Sequence, residues 1–488
     1  MRDVLLRRYA SRNHFLGLAA SLFVLWRMYK YAWERWLQEY SADIFWPAFP
    51  YPRTRLVLLM FVVPVWGAGM AGITLLWNAF QRLQRRKDNF GGRTRPRPAI
   101  LSKFLMLYIG LALSGVFLYL TQENAIDYRY RAVVEAANRV KRPDGYGDGT
   151  KVFIGAMFFN NAAVLPYWIR EFTKVIHYLG TDNVFVSVVE SNSWDESAEL
   201  LDEWKAVLDQ LGVRHLIRTR DKSVERPANM DTAYPRIEFL AATRNLVLAP
   251  LVESGGYDIV LFSNDVFVEA SAVVELLKTN NGQWDMVCGL DLHRWGMYDA
   301  WVLRDRVGDL VSSLWPYFLD EQGRQAVIND KPVPVFTCWN GITAFSSQPF
   351  LPIPLRTPGR LSNKPLATPL PSTHPSYSQS LDLLLTPAQT PPLRFRRSGD
   401  SECFNAEAYA LPYDLRRQFD MQRIYLNPLV INSYEYKWYW WFKRITRHWL
   451  VRWWMNHVEE GQGMKEARMI IGDKDKVWRW DGGECHPW

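Results

Sequence analysis

The chain is poor in the residues that mark several common function classes. Only four cysteines occur among 488 residues, Cys288, Cys338, Cys403 and Cys485, and no pair has the spacing of a zinc site. No N-x-Ser/Thr sequon, Walker loop, G-x-G-x-x-G or Ser-His-Asp order is present, so phosphate-cradling loops and serine hydrolase chemistry have no carrier. Charge is absent from Leu56 to Trp77, and nearly so from Ile100 to Leu120, where only Lys103 interrupts. Ionisable groups inside such runs mark ion or proton pathways, and their absence points to an anchor instead.

The net charge of +8 is unevenly divided. Residues 1–150 hold 22 Lys and Arg against 10 Asp and Glu, or +12, and the remainder holds 36 against 40, or −4. A nucleic-acid binder would carry its basic residues on a folded face; no nucleic-acid partner is expected. The pattern suits loops that orient a protein in a lipid bilayer. A helix needs about 20 apolar residues to cross the hydrocarbon core. Spans are expected at about 56–77 and 101–120, with a shorter run at 15–26 as a third span or an interfacial helix. The loop Gln81–Ala99 carries Arg82, Arg85, Arg86, Lys87, Arg93, Arg95 and Arg97 against Asp88 alone, which places it in the cytosol and delivers the chain after residue 122 to the lumen. There the four cysteines can form disulfides, with three pairings open.

Residues 122–150 read as a polar, helix-like stem and a turn-rich linker. From Lys151, strands alternate with helices: strands at 151–157, 183–189, 213–217, 257–262 and 286–290, and helices at 164–179, 195–211, 237–251 and 270–277. That alternation predicts an α/β domain with a mainly parallel sheet between helices, covering 151–349 and 394–488. Residues 350–393, rich in Pro, Ser and Thr, read as a disordered insertion or long surface loop. The tail "YEYKWYWWFKRITRHWLVRWWMNHV" reads as a core-packing helix or as one lying at a membrane interface.

In an open α/β sheet, ligands bind beyond the carboxyl ends of the strands. "VLFSNDVFVE" (260–269) stops there on Asn264 and Asp265, a turn or a metal-binding carboxylate. Glu190 follows another strand and suits hydrogen bonds to a base or ribose. Asp195 precedes a helix and suits an N-cap as well as a ligand. Arg244 and Asn245 interrupt an apolar helix, where Arg244 can clamp a diphosphate or pair with Glu238 or Glu253. Asp291, Tyr298, Asp299, Arg304 and Asp305 crowd one loop, a density that suits sugar recognition. Trp339 and Asn340 form a sharp aromatic turn, and Glu402 and Glu407 flank Cys403.

These segments resemble, in order, the fungal capsule-associated α-1,3-mannosyltransferases, glycosyltransferase family 69. The runs that carry the likeness are "FFNNAAVLPYW" (158–168), "ESNSWDES" (190–197), "RIEFLAATRNLVLAPL" (236–251), "VLFSNDVFVE", "YDAWVLRDRVG" (298–308), "CWNGITAF" (338–345), "NAEAYALPYDL" (405–415) and "GGECHPW" (482–488). The resemblance implies a GT-A fold, GDP-mannose as donor, retention at the anomeric carbon, Mn²⁺ or Mg²⁺, a glycan acceptor and a Golgi lumenal domain. Asp265 then stands where such enzymes hold their metal, joined by Asp291 or His486. Asn160, Glu190, Asp195, Arg244, Asn245 and Asn264 face the donor. Tyr298, Asp299, Arg304, Asp305, Trp339 and Asn340 face the sugar or acceptor, and Asp265, Asp291 and Glu407 are the catalytic acids. The rival expectations are a non-catalytic glycan-binding protein of polysaccharide export, or a transferase using GDP-fucose or a UDP-sugar.

Overall fold

A computed structural model of the chain describes Thr121 and residues 124–458, except 295, 300, 307, 309, 367–385, 400, 401 and 403. The three expected membrane spans, Cys403, Cys485 and His486 lie outside the described residues. Among the described residues no helix is long and apolar enough to cross a membrane.

The strands are β1 (Val152–Phe158), β2 (Val184–Glu190), β3 (Arg214–Arg218), β4 (Ile259–Ser263), β5 (Met286–His293), β6 (Gly296–Met297), β7 (Arg304–Asp305), β8 (Val333–Thr337), β9 (Ile342–Ser346) and β10 (Ile424–Asn432). They form one sheet in the order β3-β2-β1-β4-β9-β5-β10-β8-β7, with β6 paired to β5. The first four are mutually parallel, as are β5 and β10. The expected α/β class and mostly parallel sheet are thus present, with antiparallel strands β6, β7 and β8 at one side and one antiparallel strand inside the sheet. β9 runs antiparallel to both neighbours, β4 and β5, so the sheet is mixed. The two halves keep one direction because β9 opposes both.

The helices are α1 (Arg131–Arg139), α2 (Leu165–Leu179), α3 (Ser197–Leu211), α4 (Tyr234–Ser254), α5 (Ala270–Leu277), α6 (Glu321–Ile328), α7 (Glu407–Phe419), α8 (Tyr436–Trp441) and α9 (Trp449–His457). Both sheet faces are covered. Ile154, Ala156, Val186 and Val188 pack with α1, α2, α3 and α5, whereas Phe153, Val260 and Phe262 pack with α4 and α7. Alternate side chains point to opposite faces, and both faces are dry at β1 and β4, so those central strands are hydrophobic almost throughout, whereas the edge strand β3 (RHLIR) is not.

Two segments differ from expectation. The stem helix is part of the globular unit: Val134 and Ala137 on α1 are buried, and Asp127 forms an ion pair with Arg447 of the tail. The described ends of the proline-rich stretch are packed rather than irregular. Phe350, Leu351, Leu361 and Leu393 are buried, and Arg356 donates to the carbonyls of Leu351, Ala388 and Thr390 at 2.7–3.0 Å. One guanidinium, with five N–H donors, replaces the backbone ladder that a Pro-rich chain cannot form. In the tail, Trp438, Phe442 and Val451 are buried, whereas Trp449 and Trp453 are exposed.

Cys288 on β5 and Cys338 after β8 form a disulfide across 50 residues. Loop entropy makes such a link worth about 4 kcal/mol. The Cys288→Ala/Cys338→Ala variant is expected to unfold at clearly lower denaturant in a tryptophan-fluorescence titration. Both cysteines are buried, so reductant alone should leave the native protein intact.

Candidate active site

The sheet direction gathers the polar residues at one edge. β1, β2, β4, β5 and β10 end there, and antiparallel β9 begins there. β9 enters through Asn340 (φ +49°) and Gly341 (φ +79°). A Cβ on Gly341 would sit 2.0 Å from Asn432 Oδ1, so glycine is required both by the positive φ and by the packing. The amide of Asn432, at the end of β10, in turn donates to the Asn340 carbonyl at 3.1 Å.

Asp265 follows β4. Its Oδ2 accepts from Asn161 Nδ2 at 2.6 Å. Burial raises its carboxyl above the usual range, against the pull of Asn161 and the Arg244 charge. Asp291, on β5, is fully buried, and neither of its oxygens has a hydrogen-bond partner. Burial, then the charges of Asp299 and Asp265, push its carboxyl well above the ordinary value. Asp299 is pushed up to about 6, by burial first and also by the charge of Glu407. The backbone N–H groups of Asn340 and Val302 and the charge of Arg244 oppose the rise. Tyr434 is raised by burial and by Asp291 and Asp265. Burial is the first cause of the rise in all three acids, and Asp291 feels both Asp299 and Asp265 besides.

An unpartnered buried carboxylate beside a second one fits a divalent cation, which binds oxygen and removes the repulsion. Asp291 and Asp265 supply oxygens of the right kind. Among the described residues, no three His, Cys, Asp or Glu side chains converge as a metal-holding group; the expected ligand His486 lies outside them.

Arg244 is buried on α4. Its Nε donates to Glu407 Oε1 at 3.0 Å, and its guanidinium lies over Trp339 at 4.5 Å and Phe262 at 5.2 Å. Its partner is therefore Glu407, the first residue of α7, and not Glu238 or Glu253. Of the two alternatives in the helix pattern the structure thus shows the paired one, through Nε alone; Nη1 approaches only Met157 Sδ, at 3.9 Å. Glu407 is buried, and its Oε2 has no partner. Asn264 bridges the edge, donating to the Tyr434 hydroxyl at 2.8 Å and accepting from Trp339 Nε1 at 3.1 Å.

Other expected ligand contacts are structural. Glu190 is fully buried, with Oε1 accepting from Ser193 N–H at 3.0 Å and Oε2 from Arg220 N–H at 2.6 Å. Asp195 accepts from Ala162 N–H at 2.9 Å and Ser197 N–H at 3.0 Å. Asn160 accepts from Trp194 N–H at 3.0 Å. These three lace the loops after β1, β2 and β3. Asn245 pairs through both amide atoms with the backbone of Phe395, so it anchors the chain ahead of α7. Arg304 and Asp305 lie buried in β7, with Arg304 donating to the carbonyls of Trp301 and Leu303 at 2.8 and 2.9 Å. Trp339 and Asn340 are buried too, a wall under Arg244 rather than a sugar platform. Tyr298 alone of that group is exposed, at 57%, with His293 and Tyr434 against its ring. Glu402 pairs with Arg396.

Asn161 and Tyr434 escaped the sequence reading. Asn432-Ser433-Tyr434 closes the apolar run "IYLNPLVI" in the same way that Asn264-Asp265 closes β4, and that signal was available. Asn161 had none beyond adjacency to Asn160.

The acids set a pH dependence. A carboxyl raised in the folded state holds its proton more tightly there, so its stabilising contribution is complete below the unfolded value near 4 and is lost as pH rises toward the folded value. For Asp299 the window runs from about 4 to about 6. In metal-free buffer, unfolding free energy is expected to fall across that window. Asp299→Asn should flatten the fall in urea titrations at stepped pH; an unchanged slope would contradict the assignment.

The family described as Cryptococcal mannosyltransferase 1 matches residues 151–414, more than half of the chain. Alpha-1,3-mannosyltransferase CMT1 of Cryptococcus neoformans var. neoformans serotype D is 29% identical over 215 residues, covering 39% of this chain and 45% of that protein. The match thus spans less than half the length of that curated relative. Among solved structures, the mannosyltransferase PcManGT of Pyrobaculum calidifontis, in complex with GDP-Man and Mn²⁺, aligns at TM-score 0.29 and 10% identity over 65% of this chain and 66% of its own. Residues 1–349 of TarS from S. aureus align at TM-score 0.31 and 9% identity over 68% and 76%. Those two scores carry no argument about this chain. The family match runs from β1 into α7 and includes Asp265, Asp291, Asp299, Arg244 and Glu407, so the chain belongs to the Cryptococcal mannosyltransferase 1 family.

Proposed function

We propose that this protein is a membrane-anchored, lumen-facing retaining mannosyltransferase that uses GDP-mannose to extend a fungal glycan through an α-1,3 linkage. The observation that carries the reading is the fully buried, unpartnered Asp291 carboxylate beside Asp265 and Asp299, within the matched region. A GT-A arrangement is supported by the parallel half-sheet that ends at Asp265.

Asp265 and Asp291 would hold Mn²⁺ or Mg²⁺, with His486 as a further candidate. Bound there, the cation offsets the charge that develops on the departing diphosphate. Asn161 fixes the Asp265 carboxylate, and Arg244, stacked on Trp339, fixes Glu407. The buried, unpartnered Oε2 of Glu407 adds its negative charge to the Asp299 carboxyl, and the exposed Tyr298 ring gives a sugar face to stack on. In the transfer, the bond from the anomeric carbon to the phosphate oxygen breaks. The acceptor oxygen bonds to that carbon on the same face, and its proton passes to the departing phosphate. The Cys288–Cys338 disulfide supports an oxidising compartment, in keeping with a Golgi lumen.

The test is a donor panel of GDP-mannose, GDP-fucose and UDP-sugars, with and without Mn²⁺, read as nucleoside diphosphate release. Release from GDP-mannose that needs Mn²⁺ is expected. Binding of glycan with no release from any donor would favour the export or assembly role. Protease protection of residues 124–458 in sealed microsomes tests the orientation.

A further inference from the structure

Two side chains with no part in the chemistry above stand together beyond the end of β1. Trp194 is 81% exposed, the most exposed large apolar side chain among the described residues. An indole left in water forgoes the burial that its large apolar ring would gain, yet its backbone is held tightly. Trp194 N–H donates to Asn160 Oδ1 at 3.0 Å, Asn160 N–H to Ser193 Oγ at 2.9 Å, and Ser193 N–H to Glu190 Oε1 at 3.0 Å. Asn160 and Asn192 both adopt positive φ, +54° and +62°. Strain and hydrogen bonds together present an aromatic face to solvent, a pattern of functional loops. The indole meets Phe159 edge-on, with ring centroids 5.1 Å apart.

The Arg226 guanidinium lies over the same Phe159 ring, 3.8 Å from its centroid. It is half-buried, and it makes no ion pair among the described residues. Its loop begins at Arg220, whose N–H is held by Glu190 Oε2. One buried glutamate therefore ties the loop that carries the indole to the loop that carries the cation. The neighbouring asparagines divide the work: Asn160 holds Trp194, and Asn161 holds Asp265.

We propose that Trp194 and Arg226, packed on Phe159, form the shelf for the donor's nucleoside diphosphate: the indole stacks on the base and the guanidinium meets the diphosphate. Sheet order sets the direction. Trp194 and Arg226 belong to the β3-β2-β1 side of Asp265, whereas Asp291 and Asp299 belong to the β5 side. A diphosphate at Asp265 that sends its sugar toward those acids sends its base toward Trp194. Arg226 carries a charge that no carboxylate pairs with among the described residues, whereas the Arg244 charge is shared with buried Glu407. The shelf rests on the mannosyltransferase reading for the identity of the donor, but its binding test needs no turnover.

Calorimetry on the full-length, detergent-solubilised protein with Mn²⁺ compares GDP with inorganic pyrophosphate. Trp194→Ala is expected to weaken GDP roughly 5- to 150-fold, the range for loss of one base stack, and to leave pyrophosphate unchanged; Trp194→Phe should retain most of the affinity. Arg226→Ala should weaken both ligands by about ten- to a hundredfold. Equal weakening of both ligands in Trp194→Ala would make the residue a loop holder and overturn the proposal. GDP affinity left intact with a raised acceptor KM would overturn it in favour of an acceptor platform. If the expected pattern appears but no mannose is transferred, the shelf stands and the proposed reaction fails. If mannose is transferred while both variants bind GDP as the wild type does, the reaction stands and the shelf fails.

Discussion

Asp265→Asn is expected to reduce mannosyl transfer by on the order of a thousandfold while leaving the melting temperature unchanged or slightly higher. The two effects diverge for one reason. The folded protein gathers Asp265, Asp291 and Asp299 and raises their pKa values, so ionising them costs stability at neutral pH. Asparagine keeps the shape, can still accept from Asn161, and removes one repelling charge. What it loses is an anionic oxygen for a cation, and cation stabilisation of a leaving group is worth several kcal/mol, at 1.36 kcal/mol per tenfold in rate. Nucleoside diphosphate release and a thermal melt on the same sample separate the two. Turnover within tenfold of wild type would remove Asp265 from the metal role.

Arg244→Met is expected to cost about 3–5 kcal/mol of stability, because it strands the Glu407 carboxylate in a dry interior. The side chains of the pair are only 5% and 2% exposed, so water cannot take the place of the guanidinium. Lost stacking on Trp339 and Phe262 adds to the cost. Glu407→Leu alone should strand the cation and destabilise comparably. The double variant Arg244→Met/Glu407→Leu should recover most of the loss in denaturant unfolding, since neither charge is then left alone. It should not recover activity, because the carboxylate whose charge raises Asp299 is gone. Additive destabilisation in the double variant would show that the pair does not act as a unit.

The alternating pattern was legible because local chemistry and fold agree there. Ala270–Leu277 has the bounds read from the sequence, and β1, α2, β2 and β4 fall within about two residues of them. β9 was not legible: a five-residue strand such as ITAFS has the same composition whether its neighbours run with it or against it. The proline-rich stretch misled because composition reports the lack of a ladder, and Arg356 supplies bonds that composition cannot show. Asp265 and Asp291 stood out as acids closing hydrophobic strands. Glu190 stood out by the same signal and Asn245 as a polar residue in an apolar helix, yet their polar atoms are taken by backbone groups of Ser193, Arg220 and Phe395.

By itself the sequence determined the family, the α/β alternation and the strand-end position of the acids, since each depends on short-range pattern and order along the chain. Tertiary structure alone decided that Arg244 faces Glu407, that Cys288 joins Cys338, and that Trp194 and Arg226 share one phenylalanine. Those pairings span 163, 50 and 32 residues, and which partner a buried charge, thiol or ring finds at that range is set by how the sheet and its helices pack.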